Sequence, residues 1–220
     1  MTLFGLVRHG QTEFNRQGLF QGVSDVPLND TGREQAHRAL DALPPIAWDA
    51  ALSSTLSRAE ETARIIAEDH AIPFAGTDAR LVEIDWGAAE GNPVGEMEDR
   101  YPGRTFPGRE TTQSVIDRAT AALDEIASQR PDQNLLIVAH GTLIRLLLSG
   151  VTGEHLPSIP NGTLSQLEVV TGPEQETWTV SMVAGEELAP RTRTVPRDGT
   201  PRFTLPDHHL RPLGLEPARD

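Results

Sequence analysis

Cysteine is absent from this 220-residue chain. That excludes disulfides, thiolate nucleophiles and cysteine-ligated zinc. Lysine is absent too, so all 19 basic residues are arginine. A Walker-type phosphate loop requires Gly-Lys-Ser/Thr and a Schiff base requires a lysine amine, so neither chemistry is open to it. Any phosphate handled here falls to arginine and histidine. No apolar run approaches the ~20 residues that a membrane span needs, and no charged-then-apolar leader precedes the first strand, which begins almost at Met1. The expected setting is cytoplasmic, with no membrane partner. A net charge of −13 would repel a nucleic-acid polyanion or an anionic bilayer. It leaves room for a small phosphorylated substrate, because a local arginine cluster can dominate inside an acidic protein. No internal period is visible, and the length with a 37% hydrophobic content favours one domain with a sizeable core over two small ones.

What is present alternates between strand and helix. Residues 2–7 read as a buried strand, 50–53 as a short one and 135–139 as another buried one. Thr31–Glu34 and Ser57–Glu60 have the pattern of capping boxes. The first opens a helix through Ala36, Leu40 and Leu43 that Pro44 and Pro45 stop, and the second a helix through Ile65, Ile66 and His70. Residues 112–130 and 142–149 are helical, and 164–170 with 177–183 alternate like a hairpin. The stretch 81–110, rich in glycine and proline, reads as a loop-rich excursion. These elements predict an α/β fold, a three-layer sandwich with a mostly parallel central sheet and an edge hairpin. The domain spans 1–188. The tail 189–220 holds six prolines and six arginines against four acidic residues, and reads as poorly structured or surface-draped. An extended arm packed on the domain or on a partner subunit is the other reading.

Arg8-His9-Gly10 closes the first strand and His140-Gly141 closes the strand 135–139. In parallel sheets such positions converge on the carboxyl edge, where open α/β sheets bind ligands. Arg58 begins a helix and joins them there. Helix N-termini at that edge add free N–H groups and positive potential. Two arginines and two histidines at one point need a counter-charge, and a phosphoryl group matches guanidinium forks. A metal site is the poorer reading, because adjacent guanidinium groups disfavour a cation.

The segment Leu6-Val7-Arg8-His9-Gly10-Gln11-Thr12-Glu13-Phe14-Asn15 resembles the signature of the histidine phosphatase superfamily, in its phosphoglycerate-mutase-like branch. Four further stretches follow in the expected order: Pro27–Gly32, Ser53–Ala63, Leu81–Gly91 and Val138–Gly141. The resemblance covers roughly residues 3–183. It implies that His9 takes the phosphoryl group as a nucleophile, that Arg8, Arg58 and His140 hold the phosphoryl oxygens, and that Glu83 protonates the leaving alkoxide, with Asp85 as the fallback acid. Asn15, Gln21, Gly22 and Gly141 are implied at the substrate or phosphate, with a structural role in the loops as the alternative. No metal and no cofactor are called for, since arginine supplies the positive charge. Ala89 stands where many relatives carry tryptophan, which leaves space near the acid. Outside the motif positions, Arg145 reads as a structural ion pair and Glu90 as a residue that orients the site. His37, His70, His155 and the tail pair His208-His209 read as ordinary surface or loop residues. Met97, Tyr101 and Phe106 are candidates for an apolar pocket wall or for anchors of the excursion.

The implied activity is that of a phosphomonoesterase acting on small organic phosphates, with a mildly acidic optimum. A cofactor-dependent phosphoglycerate mutase and a non-catalytic phospho-ligand-binding relative are the alternatives. Only a short lid fits between Gly91 and His140, and Arg100, Arg104 and Arg109 are scattered through it, which favours access of water. The hairpin 164–183 is compatible with a homodimer.

Overall fold

The two most apolar strands occupy the middle of the sheet. In the computed structural model, which describes residues 1–41, 45–205 and 207–210, β1 (Thr2–Arg8) pairs in parallel with β4 (Asn134–Ala139). On the other side of β4 lies β2 (Ala50–Ser54), followed by β3 (Phe74–Asp78), both parallel to it. Three antiparallel strands extend β1 on its far side: β5 (Leu164–Thr171), β6 (Gln175–Val183) and β7 (Glu186–Pro196). The sheet is thus mixed, with a parallel core and the order β3-β2-β4-β1-β5-β6-β7. No helix among the described residues is long and apolar enough to cross a membrane.

Side-chain alternation explains why both central strands are continuous apolar runs. Phe4, Leu6, Leu135 and Ile137 face one helical layer, while Val7, Leu136 and Val138 face the other. The first layer contains α5 (Thr112–Gln129), which presents Val115, Ile116, Ala119, Leu123 and Ile126, and α6 (Gly141–Thr152), which is apolar almost all round. The second contains α3 (Ser57–Asp69), with Ala59, Ala63, Ile66 and Ala67 turned inward, and α2 (Asp30–Arg38) packed beside it. Gly5 has to be glycine here, since a Cβ would lie 2.5 Å from the ring of Trp48. A short α1 (Glu13–Gln17) and α4 (Val94–Arg100) stand above the sheet. The excursion is loop-rich as expected, with α4 as its one α-helix.

Local details differ from the sequence reading for identifiable reasons. Asn29 caps α2, its side chain accepting from Gly32 N at 2.9 Å, so the capping residue stands two places before Thr31. α2 ends at Arg38, and the expected stop at Leu43 and Pro44 lies outside the described residues. The amide and hydroxyl of Ser57 both bond to Asp25, at 2.8 and 2.7 Å, so a carboxylate from another loop takes the place of the expected local box. β3 gave no sequence signal, being five residues around Gly76 at φ 122°.

The largest difference is in the tail. Its proposed boundary at 188/189 falls inside β7, which pairs antiparallel with β6 on both sides of a register shift between Val180 and Met182. Thr192 and Thr194 stand opposite Thr179 and Thr177, with hydroxyls 3.1 and 3.3 Å apart. Beyond β7, Arg202 bonds to Asp124 and to the buried Glu176, and Phe203 packs edge-on to Trp178 with ring centroids 5.5 Å apart. The stretch 189–205 is therefore an ordered arm on its own domain. Its proline and arginine content imitated disorder because an outer strand carries the residues that discourage further pairing. Phe203→Ala is expected to lower unfolding stability by about 3–4 kcal/mol, read by urea denaturation. An unchanged midpoint would show that the arm contributes nothing to the core.

Candidate active site

The register of β1 on β4 brings the two strand-end histidines together. His9 N donates to Ala139 O at 3.0 Å, and the rings of His9 and His140 lie 5.1 Å apart. Ser54, the last residue of β2, places its hydroxyl 2.8 Å from His140 Nε2. Arg58 enters from the first turn of α3 and is fully buried. A cavity of about 340 Å³ opens here. Arg8, His9, Asn15, Gln21, Gly22, Arg58, Glu83 and Gly141 all line it. His140 does not line it and sits fully buried behind His9.

Hydrogen bonding sets the state of His9. Its Nδ1 is 2.7 Å from Gly10 O, and a carbonyl only accepts, so Nδ1 carries the proton. Nε2 is then the lone-pair nitrogen, and it accepts from Arg58 Nε at 3.3 Å. Burial, with Arg58 and Arg8 alongside, pushes the His9 pKa well below its ordinary value. Burial and Arg58 do the same to His140. Both imidazoles are neutral at pH 7, and His9 presents a nucleophilic nitrogen.

The two arginines keep their charge for a ligand because neutral carbonyls hold them. Arg58 Nη1 donates to Ser24 O at 2.8 Å and Nη2 to Gly22 O at 2.7 Å. Arg8 Nη1 donates to Ile159 O at 2.6 Å. Burial lowers the Arg58 pKa to about 10, which leaves it charged. Arg8 Nε and His140 Nδ1 are buried without a hydrogen-bond partner, and the Arg8 Nε–H, on a residue that lines the cavity, is donor capacity suited to an anion. The Gln21 side chain bridges the Thr12 hydroxyl and the Arg58 guanidinium. Asn15 caps α1 through Thr12 and also accepts from Asn161 Nδ2 at 3.2 Å, so it orders the loop while lining the cavity. Gly141 lets α6 start close against Arg8, since a Cβ there would lie 3.0 Å from Arg8 Nε and press on that side chain.

Glu90 secures the loop that carries the Arg58 anchors. Its carboxylate accepts from Val23 N at 2.9 Å, Ser24 N at 2.8 Å, the Ser24 hydroxyl at 2.5 Å and Trp86 N at 3.2 Å. Gly22, at φ 55°, makes room for it, because a Cβ there would meet Glu90 Oε1 at 2.0 Å. Glu83 is fixed differently. Oε2 accepts from Thr142 N at 2.9 Å and Oε1 from Leu143 N and Ile84 N at 3.0 Å, so it caps the start of α6 inside the cavity. Asp85, the fallback acid, bonds to Gly87 N at 2.7 Å in a turn and does not line the cavity.

Several lining residues gave little or no sequence signal. Asn161 donates to His9 O at 2.9 Å and lies in the loop before β5. Thr142 and Arg145 extend the lining along α6, and Arg104 reaches it from the excursion. Arg145 was read as half of an ion pair, but its guanidinium donates instead to the carbonyls of His209 and Leu210. The apolar wall is Leu19, Phe20, Trp86 and Val94. Phe106 stands behind Phe20 and Trp86, with centroids 5.0 and 6.0 Å away, and Met97 and Tyr101 pack against the core. Ala89 is fully buried in that same core. Among the described residues, no three His, Cys, Asp or Glu side chains gather as a metal-ligand set.

A strand-end histidine clamped between two carbonyl-anchored arginines, on a sheet of this order, defines a phosphoryl-handling α/β enzyme class. Residues 4–183 match the histidine phosphatase superfamily (branch 1), and the chain belongs to that family. It is 38% identical over 184 residues to the uncharacterized phosphatase PhoE of Bacillus subtilis, covering 82% of this chain and 93% of that protein. It is 32% identical over 187 residues to a 2,3-bisphosphoglycerate-dependent phosphoglycerate mutase of Cytophaga hutchinsonii, covering 78% and 85%. Among solved structures, a mycobacterial glucosyl-3-phosphoglycerate phosphatase superposes with a TM-score of 0.74 at 25% identity, covering 84% of this chain and 99% of that one. YhfR of Bacillus stearothermophilus gives 0.73 at 28%, covering 86% and 98%.

Glu90→Gln removes the charge and sets an amide N–H₂ against N–H donors. It is expected to reduce kcat/KM by about ten- to a hundredfold, the loss of charge-assisted hydrogen bonds of ~1.5–3 kcal/mol. Steady-state kinetics on a phosphomonoester checks this, and an unchanged value would show that the 22–24 loop holds Arg58 without it.

Proposed function

We propose that this protein is a metal-independent phosphomonoesterase that hydrolyses small organic phosphates through a phosphohistidine on His9. The observation that carries the reading is the His9 tautomer, with Nδ1–H on Gly10 O and Nε2 beside Arg58 in the cavity. Nε2 attacks phosphorus and the ester P–O bond breaks. Its electron pair leaves on the alkoxide oxygen, which takes a proton from Glu83. Arg8 and Arg58 hold the phosphoryl oxygens, and the fixed guanidinium charges stabilise the transferring group. His140, implied there by the family resemblance, packs against the His9 ring without lining the cavity. Asn15, Gln21, Gly22 and the Gly141 amide complete the phosphate cradle. Water then attacks phosphorus, its proton goes to the Glu83 carboxylate, and the P–N pair returns to Nε2. No cofactor takes part, and the reaction is assigned to the cytoplasm.

The phosphoglycerate-mutase outcome is the second reading, and mutase-named relatives support it. The lid favours hydrolysis. α4 has only seven residues, and of Arg100, Arg104 and Arg109 only Arg104 lines the cavity, where Glu98 neutralises it.

Incubation with p-nitrophenyl phosphate and 3-phosphoglycerate in EDTA tests both. The expected result is phosphate release that survives the chelator and falls at least about a thousandfold in His9→Ala. Conversion of 3- to 2-phosphoglycerate without release would establish the mutase. Loss in EDTA that Mg²⁺ restores would overturn the metal-free mechanism.

A further inference from the structure

The arginines that line the cavity differ in what holds them. Arg8 and Arg58 donate to neutral backbone carbonyls, at Ile159 and at Gly22 and Ser24. Most other arginines, such as Arg33, Arg64, Arg80, Arg118 and Arg202, pair with carboxylates. Arg104 lines the cavity but belongs with these, since Glu98 neutralises it. Arg145 belongs with Arg8 and Arg58. It is 2% exposed and lines the cavity, and its recorded partners are two neutral carbonyls, those of His209 and Leu210. Those carbonyls belong to a short turn, Asp207–Leu210, of which His209 and Leu210 do not line the cavity. The turn therefore holds the guanidinium through neutral carbonyls, and among the described residues no carboxylate forms an ion pair with it. A buried cation held this way is costly unless something else balances it.

Its position in the site follows from α6. Thr142, whose amide holds Glu83, and Arg145 are three residues apart on one helical face, about 4.5 Å along the axis. Glu83 is also the acidic group that acts on Arg145 electrostatically, against the repulsion of Arg104. Arg145 thus lines the same cavity as the proton donor, about one helical turn along α6 from the residue whose amide holds that donor. We infer that Arg145 determines specificity by receiving a second anionic group, carboxylate or phosphate, carried by the leaving group a few bonds from the ester oxygen. This rests on the phosphomonoesterase reading.

The test uses two matched pairs: glycerol 3-phosphate against 3-phosphoglycerate for the carboxylate, and 3-hydroxypropyl phosphate against propane-1,3-diyl bisphosphate for the phosphate. kcat/KM is measured on the full chain, and binding of the same four compounds to His9→Ala by calorimetry, which needs no turnover. The expected result is a preference of roughly tenfold or more for the anion-bearing member of at least one pair. The pair that responds identifies the group. Arg145→Gln should bring that ratio close to one, while Arg145→Lys, which keeps the charge and loses the fork, should retain part of it. Equal treatment of both members by the unmodified chain overturns the inference. So does an equal loss on both in Arg145→Gln, the signature of a residue that only anchors the turn. Absence of hydrolysis with all four compounds would sink the phosphomonoesterase reading alone, because the binding ratio on His9→Ala still decides the subsite.

Discussion

Everything at this site depends on keeping two histidines uncharged beside two arginines that are charged. Proteins usually neutralise a buried guanidinium with a carboxylate. Here Arg58 and Arg8 are bonded to carbonyl oxygens, which satisfy donors without cancelling charge. The nearest carboxylates act at a distance: Asp25, Glu83 and Glu90 favour the Arg58 charge electrostatically, while their oxygens are occupied by backbone amides. Burial, together with this field, keeps His9 neutral, and the guanidinium groups stay available to an anion.

The fold supplies this arrangement cheaply because parallel strands end together. β1, β2 and β4 deliver Arg8, His9, Ser54 and His140 to one edge with no long loop to order. α3 and α6 begin at the same edge, which puts Arg58 and the amides that hold Glu83 within the first turn of each helix. Close approach does the rest. Gly10 and Gly32 let the loop after β1 touch α2, where a Cβ on Gly10 would lie 2.1 Å from Gly32 O. Gly141 lets α6 start against Arg8.

The gathering of the two strand-end histidines was legible in the sequence because it is local. Arg8-His9-Gly10 and His140-Gly141 each follow an uninterrupted apolar run, so strand ends and site residues were read from the same few positions. Arg145 was misjudged because its partners, the carbonyls at 209 and 210, are backbone groups more than sixty residues away. No side-chain pattern announces a carbonyl. Asn161 was missed for the same reason, since its partner is His9 O. β7 was read as loose tail because Arg191, Thr192, Arg193 and Thr194 have no apolar alternation, yet they need none on a strand whose outer edge faces solvent. The parallel core, buried on both faces, carried the strong signal, and the polar edge did not.

The protonation state of His9 is the most direct test of the account. In a chain labelled with ¹⁵N-histidine, the His9 resonances should report a single neutral Nδ1–H tautomer at pH 7, with any protonation displaced well below the ordinary imidazole range. Titration near the ordinary value of ~6.5, or a mixture of tautomers at pH 7, would contradict it. Either result would mean that neither the arginines nor the Gly10 carbonyl sets the nucleophile.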